Sequence, residues 1–176
     1  ASKQAVLELL QQQLWSDSAV DNAAIVSAVL REHEALDQLP KGNVREHYDL
    51  IQTVTDGDSA VQVVEKISAI VSEEKWLQKA VATLKAGCPT TAHLVFEQLQ
   101  RGKKLSLPQV FQMELIMSLQ CALHPDFPEG VRALLVDKDG APNWQHASVA
   151  AVDPQWVEQH FQPPWADGNN PLSDLA

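Results

Sequence analysis

The amino-acid sequence predicts an all-α chain of about eight or nine helices. Three observations carry that prediction. Apolar residues recur at the three- and four-residue spacing of a helix face nearly throughout. No segment sustains a two-residue alternation, and no Asn-Gly pair marks a hairpin. Nine of the ten prolines lie in the second half, and most of them fall where periodic segments start or stop.

The elements follow in order. Residues 3–15 place Val6, Leu7, Leu10 and Leu14 on one stripe. Asp21 is placed to cap a second helix, with Ile25, Val26, Val29 and Leu30 inward. Pro40-Lys41-Gly42 interrupts the pattern. A third helix is expected over 44–54, using Val44, Tyr48, Ile51 and Val54, before a turn at Thr55-Asp56-Gly57-Asp58. A fourth starts after Ser59, with Val61, Val64 and Ile67, or Val63, Ile67 and Ile70, inside. Ser72 is placed to cap a fifth over 73–86. Its first-turn Glu73 and Glu74 and last-turn Lys85 complement the helix dipole. Gly87 is expected to end it in the left-handed conformation. Cys88-Pro89-Thr90-Thr91 opens a sixth helix that runs to Arg101-Gly102. Ser106 and Gln109 form an S-x-x-Q box for a seventh over 107–123, and Asp126 and Glu129 a D-x-x-E box for an eighth through Val136. Asp153-Pro154 starts a short ninth. Irregular chain is expected from Asp137 to Val152 and after Phe161.

Composition excludes several function classes. The 176 residues include 13 basic and 23 acidic side chains, a net charge of −10. Such a surface repels nucleic acid and anionic membrane. No apolar run approaches the roughly 20 residues that span a bilayer. The seven glycines are scattered, and neither G-x-G-x-x-G nor G-x-x-x-x-G-K-[ST] occurs. Arg101-Gly102-Lys103-Lys104 lacks the upstream glycine of a phosphate loop. Cys88 and Cys121 form no C-x-x-C pair, which suggests neither a disulfide framework nor zinc and fits a reducing cytoplasm. The six histidines show no ligand spacing, so no metal site is expected. No G-x-S-x-G elbow is present. The chain begins Ala1-Ser2-Lys3, without an initiator Met or a signal segment, as a trimmed chain or a piece of a larger one would.

Residues 107–123 are apolar around almost the whole cylinder, which predicts a central, covered helix. Glu114 lies in the middle of that run. A carboxylate buried there would be a general acid or base, or one half of a buried ion pair, and the pair is the commoner arrangement. Arg132, on the next helix, is the expected partner. Gly130 inside that helix costs about 1 kcal/mol against Ala, so close packing against another helix is expected there.

These residues carry a resemblance. Glu129-Gly130-Val131-Arg132-Ala133 with Lys138 and Trp144 resembles the C-terminal signature of the crotonase (enoyl-CoA hydratase/isomerase) superfamily. Cys88-Pro89-Thr90, Met113-Glu114, Asp126-Phe127 and Asp137-Lys138-Asp139 with Pro142 extend the match to its 3-hydroxyisobutyryl-CoA hydrolase branch. The resemblance implies residues 1–70 as N-terminal helices in a helical insertion region. It implies 71–145 as the crotonase C-terminal helical signature, and 146–176 as a tail with one short helix. It also implies that the repeated β-β-α core, with the oxyanion hole and catalytic carboxylates, lies outside this chain. No catalytic residue is then expected here. Lys138 matches the lysine that helps hold the CoA nucleotide phosphate, often across a subunit contact. As a residue alone, Lys138 reads equally as a solvated helix-end lysine. Leu135 matches a position near the adenine that is aromatic in some relatives.

The first expectation is therefore the C-terminal helical portion of an acyl-CoA thioester hydrolase acting in valine breakdown. Its helices would cover the active site and support self-association. Its partners would be the N-terminal crotonase core, further copies of the chain, and acyl-CoA as the parent's substrate rather than a cofactor. The alternatives are an enoyl-CoA hydratase/isomerase of the same superfamily, or a stand-alone helical interaction module with a closed surface.

Overall fold

In the computed structural model, residues 3–34, 39–165 and 170–175 are described. They are helical, with no strand among them, as the periodicity predicts. The chain divides into two compact units, residues 1–46 and 47–176.

In the first unit, α1 (Lys3–Gln11) packs on α2 (Ala19–Glu32), and α3 (Asn43–Glu46) ends the unit. Val29 is its buried apolar residue among those described. α1 stops short of the expected Trp15. The amides of Gln12 and Gln13 bond three residues back, to the carbonyls of Leu9 and Leu10, tightening the chain out of the helix. The cap of α2 is Ser18 rather than Asp21: the Ser18 hydroxyl accepts from the Asp21 amide at 3.3 Å.

The second unit begins with α4 (Tyr48–Thr55), α5 (Ala60–Ser68) and α6 (Lys75–Ala86). The expected helix over 44–54 is thus two helices interrupted at His47. The His47 ring stacks on Trp76 at 5.4 Å, and its Nε2 lies 2.7 Å from a Glu74 carboxylate oxygen. Glu74, not Ser72, precedes α6, and the Ser72 hydroxyl accepts from the Glu74 amide at 3.1 Å. Gly87 is extended, with φ −72° and ψ 166°, so α6 does not end in the left-handed turn expected of it. An extended residue there leads directly into Cys88-Pro89, whose ring cannot continue the helix.

α7 (Pro89–Gly102) is central to this unit. It packs on α5, on the 3₁₀ turn Val149–Ala151 and on α10 (Pro154–Gln159). The core cluster is Leu94 of α7 with Val152, Val157 and Phe161. Met113, Met117 and Cys121 of α8 (Leu107–Leu123) pack against it. These three recur at four-residue spacing and form one inner stripe. Leu107, Phe111, Leu119 and Leu123 lie on the opposite side and are 68%, 47%, 38% and 71% exposed. The expectation of a covered α8 therefore fails for this chain: it is apolar on two faces, of which one is bare.

α9 (Asp126–Val131) continues into a π-helical turn, Arg132–Val136, closed by the Asp137 amide on the Arg132 carbonyl at 2.8 Å. The irregular chain that follows is tied back by polar bonds. Trp144 Nε1 donates to the Ala86 carbonyl at 3.2 Å, and His93 Nε2 donates to that of Val149 at 2.8 Å. Gln112 and Gln120 of α8 donate to the carbonyls of Leu172 and Gln162. Arg101 joins α7 to α10 through Glu158 at 2.5 Å and lies 3.8 Å over the Phe161 ring.

Candidate functional site

The N-terminal ends of α7 and α9 meet at one carboxylate. Asp126 Oδ2 accepts from Thr90 Oγ1 at 2.8 Å and from Cys88 Sγ at 3.3 Å. Asp126 Oδ1 accepts from the Gln145 amide at 2.7 Å. The expected D-x-x-E capping box is therefore not formed: Asp126 binds across the fold, and Glu129 is engaged elsewhere. Thr90 is only 2% exposed, so its hydroxyl proton must find an acceptor inside the protein.

Beside this junction lies a cavity of about 360 Å³ with mostly apolar walls. Leu94, Phe127, Val131 and Leu135 line it, together with both cysteines, His124 and His160. Burial pushes both thiols up, which keeps them protonated and poor nucleophiles. His124 Nδ1 and His160 Nδ1 face the carbonyls of Gln120 and Trp156, at 2.7 and 2.8 Å. A carbonyl only accepts, so each imidazole carries a hydrogen on Nδ1. The two rings lie 4.0 Å apart, and the Trp156 ring meets His124 edge-on at 4.8 Å. Burial holds His160 below the usual imidazole range. Among the described residues, no three His, Cys, Asp or Glu side chains converge as metal ligands do.

Arg132 forms a second polar centre at the π turn. Its guanidinium makes a two-bond fork to Glu129, at 2.8 and 2.9 Å. Nη1 reaches Asp137 at 2.6 Å and Asp139 at 2.7 Å, and Nη2 reaches the Ala141 carbonyl at 3.2 Å. Glu129 also accepts from the Asn143 amide at 2.6 Å. The guanidinium and that amide together hold the Glu129 carboxyl down at about 2. Asp139 is lowered by the same guanidinium and by the Ala141 amide.

The expected Glu114–Arg132 ion pair does not form. Arg132 is saturated by carboxylates from its own turn, where sequence separations of three to seven residues bring them within reach. Glu114 is half-buried and accepts from Gln98 Nε2 at 2.7 Å. It sits beside the inner stripe of a helix whose other face is open, so no buried counter-charge is required. Gly130 is close-packed, but against a ring rather than a helix: a Cβ there would lie 3.3 Å from Trp144 Cη2.

Leu135 lines the cavity and is 67% exposed. Lys138 is exposed on the turn after the π segment, with φ +56°, the one left-handed non-glycine among the described residues. Gly140, with φ +62°, completes the turn, and its amide donates to the Ala133 carbonyl at 3.0 Å. The structure thus places Leu135 and Lys138 on one short segment, while Glu114 and Arg132 belong to separate networks. No local pattern points to the Asp126 junction, because its partners Thr90 and Cys88 lie 36 and 38 residues away in the chain. The histidine pair was equally hidden, its members being 36 residues apart in an apparently scattered set.

The sequence model of the family described as enoyl-CoA hydratase/isomerase matches residues 1–161. A mitochondrial 3-hydroxyisobutyryl-CoA hydrolase of Danio rerio is 33% identical over 148 residues, covering 84% of this chain and 38% of that protein. The mitochondrial 3-hydroxyisobutyryl-CoA hydrolase of Gallus gallus is 34% identical over 137 residues, or 78% of this chain and 34% of that protein. The chain therefore spans less than two fifths of the length of these relatives. Among solved structures, a carnitinyl-CoA dehydratase from Mycobacterium thermoresistibile superposes with a TM-score of 0.69 at 23% identity. That match covers 93% of this chain and 44% of the other, and it shows a shared fold.

Proposed function

The chain belongs to the enoyl-CoA hydratase/isomerase family, and from that premise we propose that it is the helical portion of an acyl-CoA thioester hydrolase. The reaction class is that of 3-hydroxyisobutyryl-CoA hydrolase, a step in valine breakdown. In this reading the catalytic carboxylates and the oxyanion hole belong to the family's β-β-α core. The helices of this chain cover the active site, and Lys138 and Leu135 meet the nucleotide end of CoA. The chain alone carries no turnover.

The observation that supports this most is the outer stripe of α8. Leu107, Phe111, Leu119 and Leu123 are exposed along one side of the helix. A soluble monomer rarely leaves so continuous an apolar strip in water. The core of the same enzyme, or a further copy of the chain, is the cover proposed for it. A groove of about 680 Å³ lined by Val64, Ile67, Leu84, Phe96 and Leu99 adds to the apolar surface awaiting a cover.

Two measurements on the purified chain test the reading. Light scattering is expected to find self-association, and F111Q with L119Q is expected to reduce it. An assay with 3-hydroxyisobutyryl-CoA is expected to find no hydrolysis. A monodisperse monomer would favour a stand-alone helical module instead, and thioester turnover by the isolated chain would overturn the assignment of catalysis to the core.

A further inference from the structure

The Asp137-Lys138-Asp139 turn holds an unusual arrangement of charge. Lys138 stands between two aspartates in the chain. Here both carboxylates are taken by Arg132, at 2.6 and 2.7 Å. Among the described residues no ion pair or hydrogen bond includes the Lys138 ammonium. The backbone at Lys138 is left-handed, a conformation that costs a non-glycine residue energy and persists only when its surroundings impose it. Those surroundings are the Arg132 bonds to Asp137, Asp139 and the Ala141 carbonyl, which clamp the turn on both sides of Lys138.

We infer that Arg132 is a positioning residue for Lys138: by binding both flanking aspartates it imposes the left-handed turn and keeps the ammonium free for a phosphate monoester. This rests on the reading of Lys138 as the contact for the CoA nucleotide phosphate. Charge gives the reason. Glu129, Asp137 and Asp139 carry three negative charges against the single positive charge of Arg132. Without Arg132, Lys138 would face all three and collapse onto the nearest, and an incoming phosphate would be repelled. The five N–H donors of a guanidinium supply the five bonds made here; an ammonium has only three and lacks the planar fork. Arg132 remains one-third exposed (34%), so it is available to act at the surface without being part of the core.

The test is an NMR titration of the 176-residue chain with CoA and with 3′-dephospho-CoA, read at the Lys138 amide. The wild-type chain is expected to prefer CoA by about fivefold, the scale of one exposed ion pair. R132Q is expected to lose that preference. It is also expected to weaken the strong intraresidue amide–Hα cross-peak that marks Lys138 as left-handed, while far-ultraviolet circular dichroism keeps its helical signal. R132K keeps the charge but not the fork and is expected to lose most of the preference, which guards against an R132Q chain that fails to fold. D137N with D139N removes the two carboxylates through which Arg132 clamps the turn and is expected to weaken the same amide–Hα cross-peak; a cross-peak that stays strong overturns the clamp. A phosphate preference that survives in R132K or in R132Q overturns the positioning role. Equal affinities of the wild-type chain for the two ligands overturn the phosphate role of Lys138 itself, whatever the turn does.

Discussion

Asp126 organises its surroundings as a single acceptor for three donors from two separate parts of the chain, the start of α7 and Gln145. Asn offers one acceptor oxygen where Asp126 uses two, so an NH2 group would face either the Thr90 hydroxyl or the Gln145 amide and that donor would lose its acceptor. D126N is therefore expected to cost about 1–3 kcal/mol, measured by urea unfolding. A variant as stable as wild type would mean that the junction relaxes freely. His160 gives a pH dependence with a definite sign. Its folded-state pKa is depressed by burial, so the unfolded chain takes up the proton first. Stability from this group is present above its ordinary value near 6.5 and declines as pH falls below that, through the folded value. H160Q is expected to flatten the stability profile below about pH 6.5. The Arg132 centre behaves the same way at lower pH. Its Glu129 carboxyl titrates near 2 instead of 4.5, so the Asn143 amide should stay protected from exchange until the solution is more acid than ordinary carboxylates tolerate. Arg132 was legible as a charged residue seeking an acid, but its partner was not. The apolar run around Glu114 suggested a buried pair with that carboxylate on the neighbouring helix, whereas the π turn folded three local carboxylates around Arg132.

Among the elements, α8 separates what a pattern says from what packing does. Its all-round apolar character was readable, and it implied cover. The structure resolves that character into an inner stripe on the Leu94 cluster and an outer stripe open to solvent. The two stripes should respond differently to substitution. M117A removes packing from a partly buried site and is expected to cost about 1–3 kcal/mol in denaturant unfolding. L123Q on the outer stripe is expected to change stability by no more than about 0.5 kcal/mol. Equal losses at both positions would show that the outer stripe is already covered. Gly130 in α9 poses a similar contrast. Ala would gain about 1 kcal/mol of helix propensity. Its Cβ would press on Trp144, whose ring is pinned by the Ala86 carbonyl. G130A is expected to lower the melting temperature and shift the Trp144 indole NH resonance; a rise would mean that the ring gives way.

For the whole chain, the division at His47 carries its own prediction. Residues 47–176 contain the Leu94 cluster, the Asp126 junction and the Arg132 centre. A chain cut to that range is expected to keep a cooperative thermal transition by circular dichroism, and a broad, non-cooperative melt would show that residues 1–46 are needed for its core. The sequence by itself determined the helical class, most helix positions and the family signature from Cys88 to Trp144. Each of those depends on neighbours within a turn or two: periodicity, caps, proline and short motifs. Only the tertiary structure decided which acid meets Arg132, what Asp126 holds, where the histidines gather and which face of α8 stays bare. Those outcomes turn on pairings between residues up to about 60 positions apart, such as Gln112 with Leu172. Local propensity places no constraint on such distances; they are settled when the helices pack and buried donors such as the Thr90 hydroxyl need acceptors.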